Sequence, residues 1–334
     1  MNKEKPHLTN KPIYIEPLLQ SIKPKEEQDN DFYLLAQSRA SNKLQKTITQ
    51  KITDPAQLTL LGDGKIEDKD FRLFIKGYNE IANIKQSAAM LLDGLMIAAT
   101  ETGLNDTLVK MPLKRYMDMR ELKDEKEARK GIKQDIDALE RVSFEYKGTG
   151  KQLGAWLKVS IAGGTVGQIK NGDIIFRFNQ DFFDSFKAGN GRYLYMYFPR
   201  EALQGNIRQN PHKYWLARII SEHKRMNINK PNADIISVKT LIEACPHFPT
   251  YNDVVRGNGA IEERIIRPFE RDMDELNQSL SWAYTDRKDT PPDYQSFISS
   301  TVTITWKYYP DVSGLIENKN KRDKKQKASN EKER

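Results

Sequence analysis

The chain has 334 residues, room for two ordinary domains with tails. Hydrophobic residues make up 38% and charged residues 30%, with a net charge of +8, so packed cores lie under a heavily charged surface that favours a polyanionic partner. The single cysteine, Cys245, excludes an internal disulfide and any multi-cysteine metal cluster.

The composition divides the chain into four parts. Residues 1–56 hold Pro6, Pro12, Pro17 and Pro24 among polar residues and are expected to form a flexible arm. No apolar run approaches the roughly 18 residues a membrane helix needs, and MNKEKPHLTNKPIYIEP lacks the apolar centre of a signal peptide, so no membrane partner and a cytoplasmic location are expected. Residues 57–200 and 201–312 read as two folded blocks, and 313–334 as a solvated basic tail.

In the first block, SAAMLLDGLMIAAT (Ser87 to Thr100) is apolar almost all round, as a helix buried at a domain centre would be. PLKRYMDMREL opens a short helix with Pro112 in the first-turn position, where its missing N–H costs nothing. Asp124, with Glu127 three residues on, makes an N-terminal capping pair for a helix running to about Arg141. The period then changes from 3.6 to 2: VSFEY, a glycine turn KGTGKQLG and AWLKVSI predict a hairpin, with DIIFRF as a further strand and a helix around Gln180 to Lys187.

The second block repeats this order. Ile132, Asp135, Ile136, Asp137 and Leu139 match Phe269, Asp272, Met273, Asp274 and Leu276; after one inserted residue, Phe144 and Tyr146 match Trp282 and Tyr284. LKRYMDM at Leu113 matches VKTLIEA at Val238, HKYWLARIISEHKRM from His212 stands for the first long helix, and ISSTVTITW supplies the second wing strand. Matches in the same order and local context indicate a duplicated module. The predicted fold class is therefore α+β, two tandem winged-helix domains between flexible tails.

Charge follows the repeat. On a helical wheel with Ala128 at zero, Ile132, Ile136 and Leu139 fall on a stripe roughly 80° wide, while Lys126, Arg129, Lys130 and Lys133 lie between about 100° and 200°. Arg264, Arg267 and Arg271 form a corresponding stripe in the second block, where Pro268 either kinks the helix or marks its start. Lys147 and Lys151 flank the first predicted wing turn, and Arg287 and Lys288 the second. Basic residues outside a helix are ordinarily only a solvated face; their recurrence in both copies of a DNA-binding motif favours phosphate and base contact.

The residues argue against catalysis, cofactors and metals. His7, His212, His223 and His247 form no His-x-His pair of the kind a metal-dependent nicking site needs, and Cys245 with His247 lacks a second close pair. Tyr193, Tyr195 and Tyr197 alternate as packed strand residues would. Asp135/Asp137 and Asp272/Asp274 are two apart on helices and point about 200° from each other, so neither pair converges on an ion. GTGK at Gly148 lacks the flanking residues of a phosphate-binding loop.

On the repeated module, LKDEKEARKGIKQDIDALERVSFEY and RIIRPFERDMDEL, the chain resembles the tandem winged-helix replication initiators of theta-replicating, iteron-type plasmids, over roughly Phe71 to Trp306. The resemblance implies double-stranded DNA with repeated origin sequences as partner, DNA bending and opening, recruitment of a host helicase, and a homodimer that represses its own promoter. It places the reading helices at Asp124 to Arg141 and about Gly259 to Asn277. A transcriptional regulator of a plasmid, phage or integrative element is the alternative; an origin-nicking endonuclease ranks behind both.

Overall fold

The computed structural model describes residues 31–50, 58, 63–78, 84–147, 156–186, 194–228, 230–246, 248–257, 259–285, 289–307 and 309. Expectations for residues 1–30, for the basic tail, and for Lys151, Arg287, Lys288 and His247 lie outside the described residues. The first described elements are β1 (Phe32–Ala36), α1 (Arg39–Ile48), β2 (Gly64–Asp68) and β3 (Phe71–Ile75). Then come α2 (Gln86–Glu101), β4 (Leu108–Pro112), α3 (Leu113–Arg120) and α4 (Glu125–Glu140), followed by β5 (Val142–Lys147), β6 (Trp156–Ser160), β7 (Ala162–Lys170), β8 (Asp173–Phe178), α5 (Gln180–Asp184) and β9 (Tyr195–Pro199). A 3-10 turn at Arg200–Leu203 leads into α6 (Lys213–Asn227), β10 (Ile235–Ser237), α7 (Val238–Ala244) and α8 (Tyr251–Gly257). A π turn at Glu262–Ile266 continues as α9 (Arg267–Asp274), and β11 (Leu280–Tyr284), α10 (Tyr294–Ser299) and β12 (Thr301–Trp306) complete the mixed α+β chain.

Two three-stranded sheets hold equivalent places in the two halves. In the first half the order is β4-β8-β7, and in the second β10-β12-β11. In each, the strand that runs into the helix pair, β4 or β10, lies beside the central strand, β8 or β12. The predicted VSFEY–AWLKVSI hairpin forms as β5–β6, but it lies in a separate four-stranded sheet, β2-β3-β5-β6, away from β4. Phe144 of β5 is fully buried and stacks on Phe71 of β3, with ring centroids 5.5 Å apart. Alternation along VSFEY specified a half-buried strand and left its partner open. A further hairpin, β7–β8, joins β4 and is turned at Asn171 and Gly172, both with positive φ (53° and 84°), as a primed two-residue turn requires.

The arm expected over residues 1–56 is also corrected in its last third. β1 pairs antiparallel with β9, and Leu35, Leu44 and Ile48 are fully buried. Ser38 starts α1 through a reciprocal capping box with Ser41. The apolar stripe of α1 is thin, Ala40, Leu44 and Ile48 at i, i+4 and i+8, and its neighbours Asn42 and Gln45 are buried polar residues. A stripe so sparse in so polar a segment reads locally as loop, and packing supplies the helix.

The repeat explains how the halves meet. Tyr214 donates to the Ala89 carbonyl and Arg218 to the Asp93 carboxylate, each pair separated by 125 residues, the same offset that relates Leu113 of α3 to Val238 of α7. Equivalent positions of the two long helices α2 and α6 thus face each other, as in a two-fold contact between copies. The Asp93 carboxylate also accepts from Tyr214 Oη at 2.7 Å and Gln45 Nε2 at 2.8 Å, and Arg218 Nη2 reaches Asn42 Oδ1 at 3.2 Å. Burial pushes the Asp93 carboxyl up while Arg218, Tyr214 and Gln45 pull it down. Burial works against the Arg218 charge too, but Asp93, Tyr214 and Glu222 together more than offset it and hold the guanidinium protonated. One continuous core, from Leu35 to Ile304, includes residues of both halves.

Because both charged groups are out of water, removing one strands the other. Asp93→Ala is expected to cost about 3–5 kcal/mol in urea unfolding, and the double variant Asp93→Ala/Arg218→Met less than the sum of the two single variants. Additive losses would show that the two side chains act separately.

Candidate nucleic-acid interface

α4 begins where it was expected. The Asp124 side chain accepts from the Glu127 amide at 3.0 Å, and Glu125 and Glu127 sit in the first turn, where the helix dipole favours negative charge. The turn from α3 closes on Glu121, which adopts left-handed backbone (φ 53°), with Leu122 N–H bonded to Met117 O at 2.8 Å. Ala128, Ile132, Ile136 and Leu139 are buried. Each of the three larger ones stabilises this orientation by roughly 1.5–3 kcal/mol, so the opposite face is committed to solvent. Lys126, Lys130 and Lys133 are exposed there and make no ion pair among the described residues. Arg129 is held by Glu125 at 2.7 Å, an exposed i,i+4 pair weak enough to exchange for a phosphate.

The second helix reaches the same result by another route. Pro268 in a regular helix would drive its ring against the carbonyl four residues back. The π turn at Glu262–Ile266 widens the chain just before it, and the Arg267 amide bonds to Glu262 O, five residues back. The helix runs through Pro268, so the even spacing of Arg264, Arg267 and Arg271 is interrupted in the wide turn. All three remain exposed. Arg267 pairs with Glu262 at 2.8 Å and Arg271 with Asp272 at 2.8 Å, while the Arg264 side chain makes no ion pair among the described residues.

The matched aspartates now have a role. Asp135 is buried and accepts from Ser87 Oγ at 2.8 Å, at the start of α2. Asp272, also buried, accepts from the His212 amide at 2.7 Å, at the start of α6. In each half a carboxylate on the basic helix ties it to the first turn of the long helix. Their neighbours Asp137 and Asp274 are exposed, so each pair diverges and cannot share an ion; among the described residues no group of three acidic, histidine or cysteine side chains could hold a metal. Cys245 is buried, its sulfur 3.7 Å from His212 Nδ1.

The 3-10 turn between the halves grips both modules. Arg120, at the end of α3, donates to Leu203 O at 2.8 Å. Glu201 accepts from the amides of Gln278 and Ser279 at 2.8 Å each, just before β11. The basic helices are therefore built on one frame. Lys147, predicted at the first wing, stands on β5 in the four-stranded sheet. Lys110 and Arg177, which the sequence reading did not single out, are exposed on one face of β4 and β8. The Asn-Gly dipeptide at 171–172 was the signal that could have located this hairpin.

Protein-family models and curated proteins gave no match to the chain. Among solved structures it is similar to a selenomethionine derivative of domains 2 and 3 of RctB, at 13% identity over 80% of this chain and 98% of that one, with a TM-score of 0.46. A second crystal structure of RctB domains 2-3 gives 15% identity over 78% and 96%, with a TM-score of 0.43. Among the described residues no helix is long and apolar enough to cross a membrane.

Burial pushes the Asp135 carboxyl up to about 6, with Ser87, Arg120 and Lys85 pulling the other way. The folded chain therefore holds this proton more tightly than the unfolded one, and the resulting stability is complete below about pH 4 and lost as pH rises through about 6. Asp135→Asn is expected to be more stable than the natural chain by about 1–3 kcal/mol at pH 7.5, an advantage that vanishes near pH 4. Chemical denaturation across pH checks this; an advantage independent of pH would mean that Asp135 is ionised throughout.

Proposed function

We propose that this chain is a sequence-specific double-stranded DNA-binding protein of the replication-initiator kind, with each half working as a winged helix. α4 and α9 are the reading helices, and the β7–β8 and β11–β12 hairpins are the wings. The observation that carries the reading is the recurrence, in two interlocked copies, of a helix with its apolar and carboxylate side anchored to the long helix of its block and its cationic side in water. Such a helix presents side chains to the major groove while its flanks lie over phosphates.

The modules meet through equivalent positions, so the reading helices address two half-sites in opposite orientations on one face of a duplex. Lysines on α4 supply affinity through counterion release; Arg264 and Arg271 supply base choice through bidentate contact with guanine. Two modules on one frame raise the effective concentration of the second contact and make DNA bending energetically accessible. Repeated origin sequences, an adjacent AT-rich segment and a host helicase complete the initiator reading, which also draws on the sequence resemblance. The mechanism is binding without covalent chemistry, so supercoiled DNA incubated with the chain and a divalent metal stays supercoiled.

Binding to origin duplex as a function of salt tests the assignment. Replacing Lys126, Lys130 and Lys133 with Gln is expected to lower the slope of log K against log salt by about 0.9 for each lost phosphate contact, equally for all sequences. Arg264→Ala is expected to cost about 1–3 kcal/mol and to relax preference at one base pair. Unchanged salt slopes, or footprints that ignore both helices, would overturn the proposal.

A further inference from the structure

The outward face of the four-stranded sheet takes no part in the duplex reading, yet its side chains are not those of an ordinary solvated face. Cross-strand register places Lys65, Phe74, Ser143 and Ser160 in one row, Glu67, Arg72, Glu145 and Lys158 in the next, and Lys147 beside Trp156 beyond them. The inward face, with Leu73, Phe144 and Val159, is buried in the core. Two aromatic rings thus stand on the outward side of a sheet whose other side is already filled.

Each ring is dressed with cations. The Arg72 guanidinium lies 3.9 Å from the centre of the Trp156 ring, Lys147 Nζ lies 5.4 Å from the same centre, and Lys158 Nζ lies 5.9 Å from that of Phe74. Both carboxylates on the face are engaged by its own cations: Glu67 by Lys65 and Arg72 at 2.6 Å each, Glu145 by Arg72 at 3.4 Å. Bonds to Glu67 and Glu145 hold the guanidinium in place against the indole and extend the stack outward. Lys147 and Lys158 are exposed and make no ion pair among the described residues. Strand geometry separates Phe74 from Trp156 by roughly 16 Å, two strands over and four residues along.

We propose that this sheet face is a binding platform for single-stranded DNA. Bases stack on Trp156, on the outer side of Arg72 and on Phe74, and Lys147 and Lys158 meet the phosphates between them. Aromatic platforms with interleaved cations suit single strands because every base has a π face, and open sheets of this scale stack two or three bases. A duplex keeps its bases stacked inside and offers none to such a surface. The choice of DNA over RNA rests on the duplex-binding function proposed above; the platform itself rests on the rings and cations alone.

The test uses the full chain, a labelled 20-nucleotide oligodeoxythymidylate and fluorescence anisotropy, with origin duplex measured in parallel and circular dichroism to check folding. Trp156→Ala is expected to weaken single-strand binding about 5- to 100-fold, and Trp156→Phe to retain most of it. Lys147→Gln/Lys158→Gln is expected to lower the single-strand salt slope by about 1.4. All three variants should bind duplex like the natural chain, and the α4 lysine variant should lose duplex affinity while keeping the single strand. Single-strand binding that is absent, or unchanged in both the Trp156→Ala and double-lysine variants, overturns the platform. So does tighter binding of the matching RNA, or a dimer in sedimentation that Trp156→Ala converts to monomer. Failure of duplex binding with single-strand binding intact would overturn only the function proposed above.

Discussion

The buried contact between Asp93 and Arg218 is the constraint on which the arrangement of the two halves depends. A carboxylate with almost no solvent is tolerable only if several donors surround it, and here they come from α6 through Arg218 and Tyr214 and from α1 through Gln45. The directionality of those bonds fixes how α6 crosses α2 more sharply than apolar packing would. Since each long helix anchors a basic helix through a buried aspartate, the geometry at this one contact passes to both basic helices. The 3-10 turn between the halves reinforces it, with Arg120 bonded on one side and Glu201 on the other.

The duplication also explains why opposite charges meet there. Positions 93 and 218 are equivalent in the two copies, and identical ionisable residues facing each other across a dry interface would repel or need a shared proton. Within one chain the copies are free to differ, and an Asp opposite an Arg turns a two-fold contact into an ion pair. β1 and β9 also pair antiparallel. Phe32 and Tyr197 from that pair join Trp306 and Tyr309 in a small aromatic cluster beside β12.

The two basic helices reach their outward faces by different local chemistry. α4 is regular, capped by Asp124, and its lysines are spaced by the helical period. The second helix carries a proline in its interior and accommodates it with a π turn. Its arginines are consequently displaced from an even stripe, and two of them lean on carboxylates of their own helix. The first module thus carries an evenly spaced row of cations, and the second an uneven row of arginine forks.

Periodicity in the sequence by itself determined the α+β class, the long apolar helix, the capped start of α4, and the match of Asp135 to Asp272. These depend on residues three, four or seven apart, and local spacing sets which face is buried. Sequence alone revealed the local hairpins β5–β6 and β11–β12 but not the distant partners of the strands. The predicted 142–160 hairpin forms, with Lys147 opposite Trp156 beside its turn, but VSFEY also pairs on its other edge with β3, a distant partner that alternation could not reveal. Nor did it reveal β1 and α1, whose few apolar residues become a core only against β9 and α2. The β1–β9 and β3–β5 pairings and the burial of Asp93 join residues more than 60 positions apart, and only tertiary packing brings such residues together.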